Sequence, residues 1–327
     1  MRTRTFPALH RSVSVVGLGT WQLGADWGDV SEADAHAVLD AAAESGVTFF
    51  DTADVYGDGR SEQLIGSFLA GRPELSVTVA TKMGRRVEQR PEAYTLAAFR
   101  EWTDRSRRNL RTDRLDLVQL HCPPSSVFAD DRVFEALDTL VAEERIAAYG
   151  VSVERTSEAL AALEHPGLAS IQIIANAFRL KPFDEVIPAA AAQEVAVVVR
   201  VPLASGLLSG RYTTETTFPA NDHRTFNRHG EAFDVGETFA GVDFAQGVAA
   251  AQEFAALVPE GMPPATAAIA WLTQQDGVTT VIPGARSPEQ ARANAAAGGP
   301  APLDAAFDVA LRDLYDRRLR ASVHHRW

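Results

Sequence analysis

"VTFFDTADVYGDGRSEQLIG", residues 47–66, contains one complete unit of the fold. A run rich in β-branched and aromatic residues ends on Asp51, a glycine-rich loop carries Tyr56, and "GRSEQLIG" returns the chain to a helix. The same order of strand, loop and alanine-rich amphipathic helix recurs almost from end to end, which is the pattern of βα units around a parallel sheet. Strands are predicted near residues 14–19, 47–51, 77–82, 115–121, 146–152, 169–175, 195–201 and 278–284. Among the helices, "SEADAHAVLDAAAESG" (31–46) opens on a serine N-cap and stops on a glycine. Eight strands, each followed by a helix, fit an α/β fold of the (β/α)8 TIM-barrel type better than an open doubly wound sheet. One domain over residues 1–327 is the simplest division.

Two segments depart from a plain barrel. Residues 211–243 follow the seventh strand, are polar and aromatic, and are too long for an ordinary connector, so they are a candidate lid. The tail from Leu303 adds a last helix and ends in "SVHHRW".

The net charge of −12 and the scattered basic residues argue against nucleic acid and anionic membrane as partners. The N-terminus lacks the apolar core of a signal peptide, and no apolar run approaches the roughly 18 residues of a membrane span. Cys122 is the sole cysteine, which excludes an intrachain disulfide and suits a cytoplasmic, reducing compartment. The expected partner is a small molecule; no pattern in the sequence sets an oligomeric state.

In such barrels the active site forms at the C-terminal ends of the strands. Those ends supply Asp51, Lys82, His121 and Ser152, with Tyr56 on the loop after the second strand. Each alone could be an ordinary hydrogen-bonded loop residue; together they would converge on one mouth. A free phenol titrates at about pH 10, so Tyr56 donates a proton at neutral pH only if its ionisation is eased. Lys82 can stabilise the phenolate, Asp51 can keep the lysine charged and aimed, and His121 can polarise a carbonyl oxygen. The sequence has no nucleophile elbow, no carboxylate pair placed for glycosidic chemistry and no HExxH or CxxC metal spacing, so no metal is expected. A site that protonates an oxygen without a protein nucleophile points to a cofactor that carries hydride.

Taken in order, "GLGTWQLG", "FDTADVYGDGRSEQLIG", "VATKMG", "LDLVQLHCP", "YGVS", "VPLASGLLSGRY" and "IPGARSPEQARAN" resemble the aldo-keto reductase superfamily across nearly the whole chain. The resemblance is nearest the bacterial branch that includes inositol- and sugar-related reductases. It implies a catalytic tetrad of Asp51, Tyr56, Lys82 and His121, with Tyr56 as general acid in reduction and general base in oxidation. It implies that Gly19, Thr20, Trp21, Asp51, Ser152 and Gln172 hold the nicotinamide. The pyrophosphate would lie along Pro202, Leu203, Ser205, Gly206, Leu207, Gly210 and Arg211, and the adenosine end on Gly284, Ala285, Arg286, Gln290 and Asn294.

Independently of that resemblance, Gly284 permits close backbone approach, Ser287 can cap a helix whose N-terminus suits phosphate, and Arg286 can fork onto a 2′-phosphate. This favours NADP (NADPH) over NAD, the alternative cofactor. The bland reading is an ordinary capped surface helix. Two positions depart from the family pattern: Val153 stands where many members carry Asn, and Arg200 where many carry a tyrosine that stacks on the nicotinamide. A guanidinium plane can also stack on a ring.

The expected activity is NADPH-dependent, reversible reduction of an aldehyde or ketone, with a sugar or other hydroxylated carbonyl compound as the substrate suggested by Asn227, Arg228, His229, His324 and Arg326. Trp21, Trp27, Phe226, Arg228 and Trp327 are the candidate substrate pocket. The alternative is a nicotinamide-binding regulatory subunit of the same fold with little catalysis. Lesser readings are a Rossmann fingerprint in "GLGTWQLG", whose glycines miss the spacing, a metal site at His324 and His325, and a reactive pair of Cys122 with His121.

Overall fold

The computed structural model describes residues 1–24, 30–299 and 303–327. It opens with an antiparallel hairpin, β1 (Thr3–Phe6) and β2 (Arg11–Ser14), which the sequence pattern did not predict. The turn carries no Asn-Gly or Asp-Gly signal; a short 3-10 turn at Pro7–Leu9 and His10 at φ 49° close it instead.

The eight expected strands follow: β3 (Leu18–Gly19), β4 (Phe49–Asp51), β5 (Thr78–Met83), β6 (Leu115–His121), β7 (Ile146–Val153), β8 (Leu168–Ile174), β9 (Ala196–Arg200) and β10 (Val278–Val281). Each pairs in parallel with its neighbour in chain order. Parallel bridges Val16 to Val281 and Gly19 to Gly284 join the first strand to the last, so the sheet closes as a (β/α)8 barrel. The first strand is shorter than predicted because Ser14 pairs within the hairpin. At Gly17 a Cβ would lie 2.8 Å from the Phe49 carbonyl oxygen, so only glycine fits there.

Successive side chains of a strand face opposite ways, and this two-residue step divides the barrel interior into layers. Phe49, Ala80, Leu117, Ala148, Ala196, Val198 and Ile282 belong to one buried apolar cluster with Phe6 and Val13 of the hairpin. The alanines leave room for the Phe6 and Phe49 rings, stacked 6.3 Å apart, and the hairpin stops the floor of the barrel. Two residues further along the same strands, Phe49 gives way to Asp51, Ala80 to Lys82 and Leu117 to Gln119. An apolar floor thus carries a polar mouth.

The outer faces of the strands pack against helices that include Glu32–Glu44, Arg60–Ala70, Leu96–Leu110, Asp131–Ala142 and Pro264–Gln274 in a second, larger core. The last long helix, Ala305–Arg318, is fixed in part by the Trp271 indole, which donates to Asp308 Oδ1 at 2.8 Å. Among the described residues no helix is long and apolar enough to cross a membrane.

Residues 211–243 fold back over the barrel mouth around the rings of Tyr212, Phe218 and Phe239. Two of the expected pocket residues instead hold this segment in place. Arg228 lies with its guanidinium carbon 4.8 Å from the Phe244 ring, and Trp327 is buried under the Arg179 guanidinium at 4.1 Å. The Trp327 indole donates to Asp234 Oδ1 at 3.1 Å, and the ring fills space left by Gly236 and Gly241. Trp27 lies outside the described residues.

Phe6 is fully buried at the barrel floor, so Phe6→Ala should lower unfolding stability by about 3 kcal/mol through lost burial and a residual cavity, read as a shifted urea midpoint. A midpoint equal to wild type would mean that the hairpin does not stop the barrel in solution.

Candidate active site

The centre of the mouth is a buried ion pair. Lys82, 1% exposed, sets its Nζ 2.5 Å from Oδ1 of Asp51, 3% exposed, and donates to the Thr52 carbonyl at 2.8 Å. The other carboxylate oxygen accepts from Gln172 Nε2 at 2.7 Å and from Gln119 Nε2 at 3.4 Å. Every oxygen of Asp51 therefore has a donor, as a buried carboxylate requires. Burial alone would lower the Lys82 pKa; Asp51 and Tyr56 outweigh it and hold the ammonium above the usual lysine range.

Tyr56 reaches this pair because its loop turns sharply. Gly57, Asp58 and Gly59 all have positive φ, and at Gly57 a Cβ would lie 2.1 Å from the Gly24 carbonyl oxygen. The phenol ring sits 5.2 Å from Lys82 Nζ, stacks on Trp21 with centroids 6.2 Å apart, and meets the His121 ring edge-on at 5.9 Å. Burial pushes the phenol above its usual value of 10, and the Lys82 ammonium pulls the other way without prevailing. This corrects the sequence-based expectation of a lowered tyrosine pKa: Tyr56 keeps its proton well above neutral pH. His121 is driven well below the usual histidine value by burial and then by the charges of Arg85, Lys82 and Arg200, so its ring is neutral.

Beside these groups, around Arg200, lies a second cluster whose Glu154, Glu237 and Arg85 the sequence reading missed. Arg200 Nη2 sits 2.8 Å from Glu154 Oε1, donates to the Val153 carbonyl at 3.2 Å and approaches Cys122 Sγ at 3.5 Å. Glu237, from the segment over the mouth, accepts from Arg85 Nη2 at 2.8 Å and lies 3.7 Å from Arg200 Nη1. Arg200 is thus gripped by carboxylates as well as facing the cleft. Burial pushes the Glu154 carboxyl up to about 8, whereas for Glu237 the two guanidiniums outweigh burial and hold it far below the carboxylate range. Cys122, Glu154 and Glu237 lie close enough to share a metal ion, yet both carboxylates already face guanidiniums. The Cys122 thiol is pushed up to about 12 by burial and then by Glu154, which removes the reactive-thiol reading.

A cleft of about 1660 Å³ runs from this centre across the loop after β9 to the helix Pro288–Ala296. Of the expected site residues, Gly19, Thr20, Trp21, Asp51, Tyr56, His121, Gln172, Arg200, Pro202, Leu203, Ser205, Gly206, Arg211, Gly284, Arg286, Gln290, Asn294 and Phe226 line it. Lys82 lies just beneath, on Asp51. Ser152 is buried with its hydroxyl 3.5 Å from Cys122 Sγ, Leu207 packs on Gly247, Ala285 is in the outer core, and Gly210 closes a turn at φ 71°. These four do not line the cleft, because each side chain or turn serves packing. The helix at the far end is capped by Ser287, whose hydroxyl accepts from Gln290 N at 3.3 Å, and exposed Arg286 stands at its start. His324 bonds the Tyr315 hydroxyl at 3.0 Å while His325 is exposed, so the pair does not act as one site.

Gln119 could have been found from the sequence, since it stands two residues before His121 on one strand and so shares its face. Arg85, directly after "TKMG", and Glu154, directly after β7, also follow strand ends. Glu237 had no such signal, being deep inside a long irregular segment.

The sequence between residues 15 and 312 matches the model of the aldo/keto reductase family. An uncharacterised oxidoreductase of Mycobacterium tuberculosis is 32% identical over 293 residues, covering 87% of this chain and 84% of the relative. The glycerol dehydrogenase of Gluconobacter oxydans superposes with a TM-score of 0.80 at 28% identity, covering 97% of this chain and 96% of the other. An aldo-keto reductase of Klebsiella pneumoniae in complex with NADPH superposes with a TM-score of 0.72 at 25% identity, covering 96% of each chain. With its closed eight-strand barrel and the Asp51, Tyr56, Lys82 and His121 constellation at the mouth, the chain belongs to the aldo/keto reductase family.

Proposed function

We propose that this protein is an NADPH-dependent oxidoreductase that reduces a small polar aldehyde or ketone to an alcohol, reversibly. The observation that carries the reading is the phenol of Tyr56 beside the buried Lys82–Asp51 pair at the end of a long cleft. The cleft fits the cofactor by its chemistry. Its far end offers the N-terminus of a capped helix and Arg286 to phosphate, Gly284 keeps the backbone open, and Gln172 and Trp21 line the inner end. The NADPH complex of the Klebsiella pneumoniae relative supports the same choice of cofactor. NADPH, when bound, supplies hydride to the carbonyl carbon.

The residues of the chain do the rest. Neutral His121 donates a hydrogen bond to the carbonyl oxygen, and as negative charge develops there Tyr56 passes its proton across. The phenolate left behind faces the Lys82 ammonium, whose charge Asp51 sustains. Asp51 in turn is aimed by Gln119 and Gln172, which act as positioning residues. Intact proton-transfer machinery argues for catalysis over a purely regulatory, nicotinamide-binding role. The glycerol dehydrogenase relative makes a hydroxylated substrate a reasonable starting panel.

Removing the phenolic hydroxyl with Tyr56→Phe should lower kcat for NADPH-linked carbonyl reduction by about 10³-fold, measured as NADPH oxidation at 340 nm, with little change in cofactor binding. A mutant as active as wild type would remove Tyr56 from the mechanism.

The raised phenol pKa also sets the sign of the pH dependence. Reduction uses the protonated phenol and should stay flat through neutral pH, whereas alcohol oxidation needs the phenolate and should still be rising at pH 10. An oxidation rate that levels off near neutrality would contradict the direction of the shift.

Arg286→Ala should weaken NADPH binding by about 10-fold or more while leaving NADH binding within about 2-fold, as read by fluorescence titration. Equal losses for both would take the 2′-phosphate away from Arg286.

A further inference from the structure

Arg85 leaves β5 three residues after Lys82 and lines the cleft with Tyr56, Trp21 and His121. Its bonds run through one nitrogen: Nη2 sits 2.8 Å from Glu237 Oε1 and 3.5 Å from Glu154 Oε1. Among the described residues, Nε and Nη1 make no hydrogen bond, although the side chain is only 19% exposed. A guanidinium has five N–H donors in a rigid plane, and the hydrogen bonds of Arg85, a residue of the cleft wall, engage only one of its nitrogens.

Arg85, Arg200 and Arg179 converge here, the last through a hydrogen bond from Nη2 to the Glu154 carbonyl. Opposite them stand Glu237 and Asp234, the latter occupied by the Trp327 indole and the Gly236 amide. Glu154 stands 2.8 Å from Arg200 Nη2, and burial pushes its carboxyl up to about 8. Three guanidiniums thus meet at this end of the cleft, and the Arg85 charge bears on both Tyr56 and His121. A carboxylate on the substrate would match both the charge and the planar fork of Arg85.

We propose that Arg85 determines substrate specificity by binding a carboxylate on the carbonyl substrate, so that the preferred substrates are small oxo acids. This rests on the carbonyl-reductase reading above. The carboxylate is unchanged in the reaction: NADPH gives hydride to the carbonyl carbon, Tyr56 gives a proton to the oxygen, and the product is a hydroxy acid. Because the carboxylate contact is made away from the reacting atoms, it acts alike in ground and transition states and falls on KM.

The test compares kcat/KM for 4-oxobutanoate and 5-oxopentanoate with their methyl esters, in wild type, Arg85→Met and Arg85→Lys. For at least one chain length the wild-type acid should exceed its ester by about 10- to 100-fold, mostly through KM, the range of a charge-assisted hydrogen bond. The ratio should fall below about 3-fold in Arg85→Met and recover partly in Arg85→Lys, which restores the charge without the fork. A wild-type ratio near or below one for both lengths overturns the proposal while leaving carbonyl reduction intact. So does a ratio unchanged in Arg85→Met. Absence of NADPH oxidation with acids and esters, and with a panel of uncharged aldehydes, overturns the carbonyl-reductase reading itself and this inference with it.

Discussion

The ion pair between Lys82 and Asp51 is the constraint around which the rest is arranged. Two charges are held out of water at the mouth of a barrel, and removing either partner would leave the other uncompensated at a cost of about 3–5 kcal/mol. Such a pair is tolerable only when each remaining polar atom is answered, and Gln119, Gln172 and the Thr52 carbonyl answer them. The arrangement stores a fixed positive charge in a low-dielectric place, next to the phenol of Tyr56. Burial on its own would make Tyr56 a worse acid; the lysine limits that penalty instead of reversing it.

The pair can exist because the barrel is layered. Side chains on one strand recur on the same face every two residues, so an interior built of Phe49, Ala80 and Leu117 turns into one built of Asp51, Lys82 and Gln119 at the next step. The N-terminal hairpin closes the bottom with Phe6 and Val13, which keeps water from approaching the charges from below. Packing at one end thus sets the electrostatics at the other.

The wall of the site away from the cofactor path comes from the segment over the mouth. Trp327, Arg179 and Asp234 hold that segment down, and this fixes Glu237 where it can meet Arg85 and Arg200. Arg200 stands where many family members carry an aromatic ring. Its charge is balanced by Glu154 and Glu237, so its replacement would disturb the pocket wall as well as any contact with a bound ring.

The strands, their order and several of the residues at their ends were legible in the sequence because they depend on local periodicity: eight short apolar runs, four of them ending in Asp51, Lys82, His121 and Ser152, polar side chains whose face follows from counting by two. The hairpin was missed because its turn uses a 3-10 segment and a left-handed histidine in place of the usual glycine signal. Leu207 and Ala285 were assigned to the cofactor from a motif, and only packing revealed that their side chains point into the core. Trp327 and Arg228 looked like pocket residues by composition, yet they anchor the segment over the mouth. Asp51, Lys82 and His121 could thus be placed at one end of the barrel from the sequence itself, with Tyr56 on the loop after Asp51. The pairing of Glu237 with Arg85 and Arg200 was decided by the tertiary structure alone, because Arg85 and Glu237 stand 152 residues apart and an irregular segment carries no period that could tell which way the Glu237 carboxylate turns.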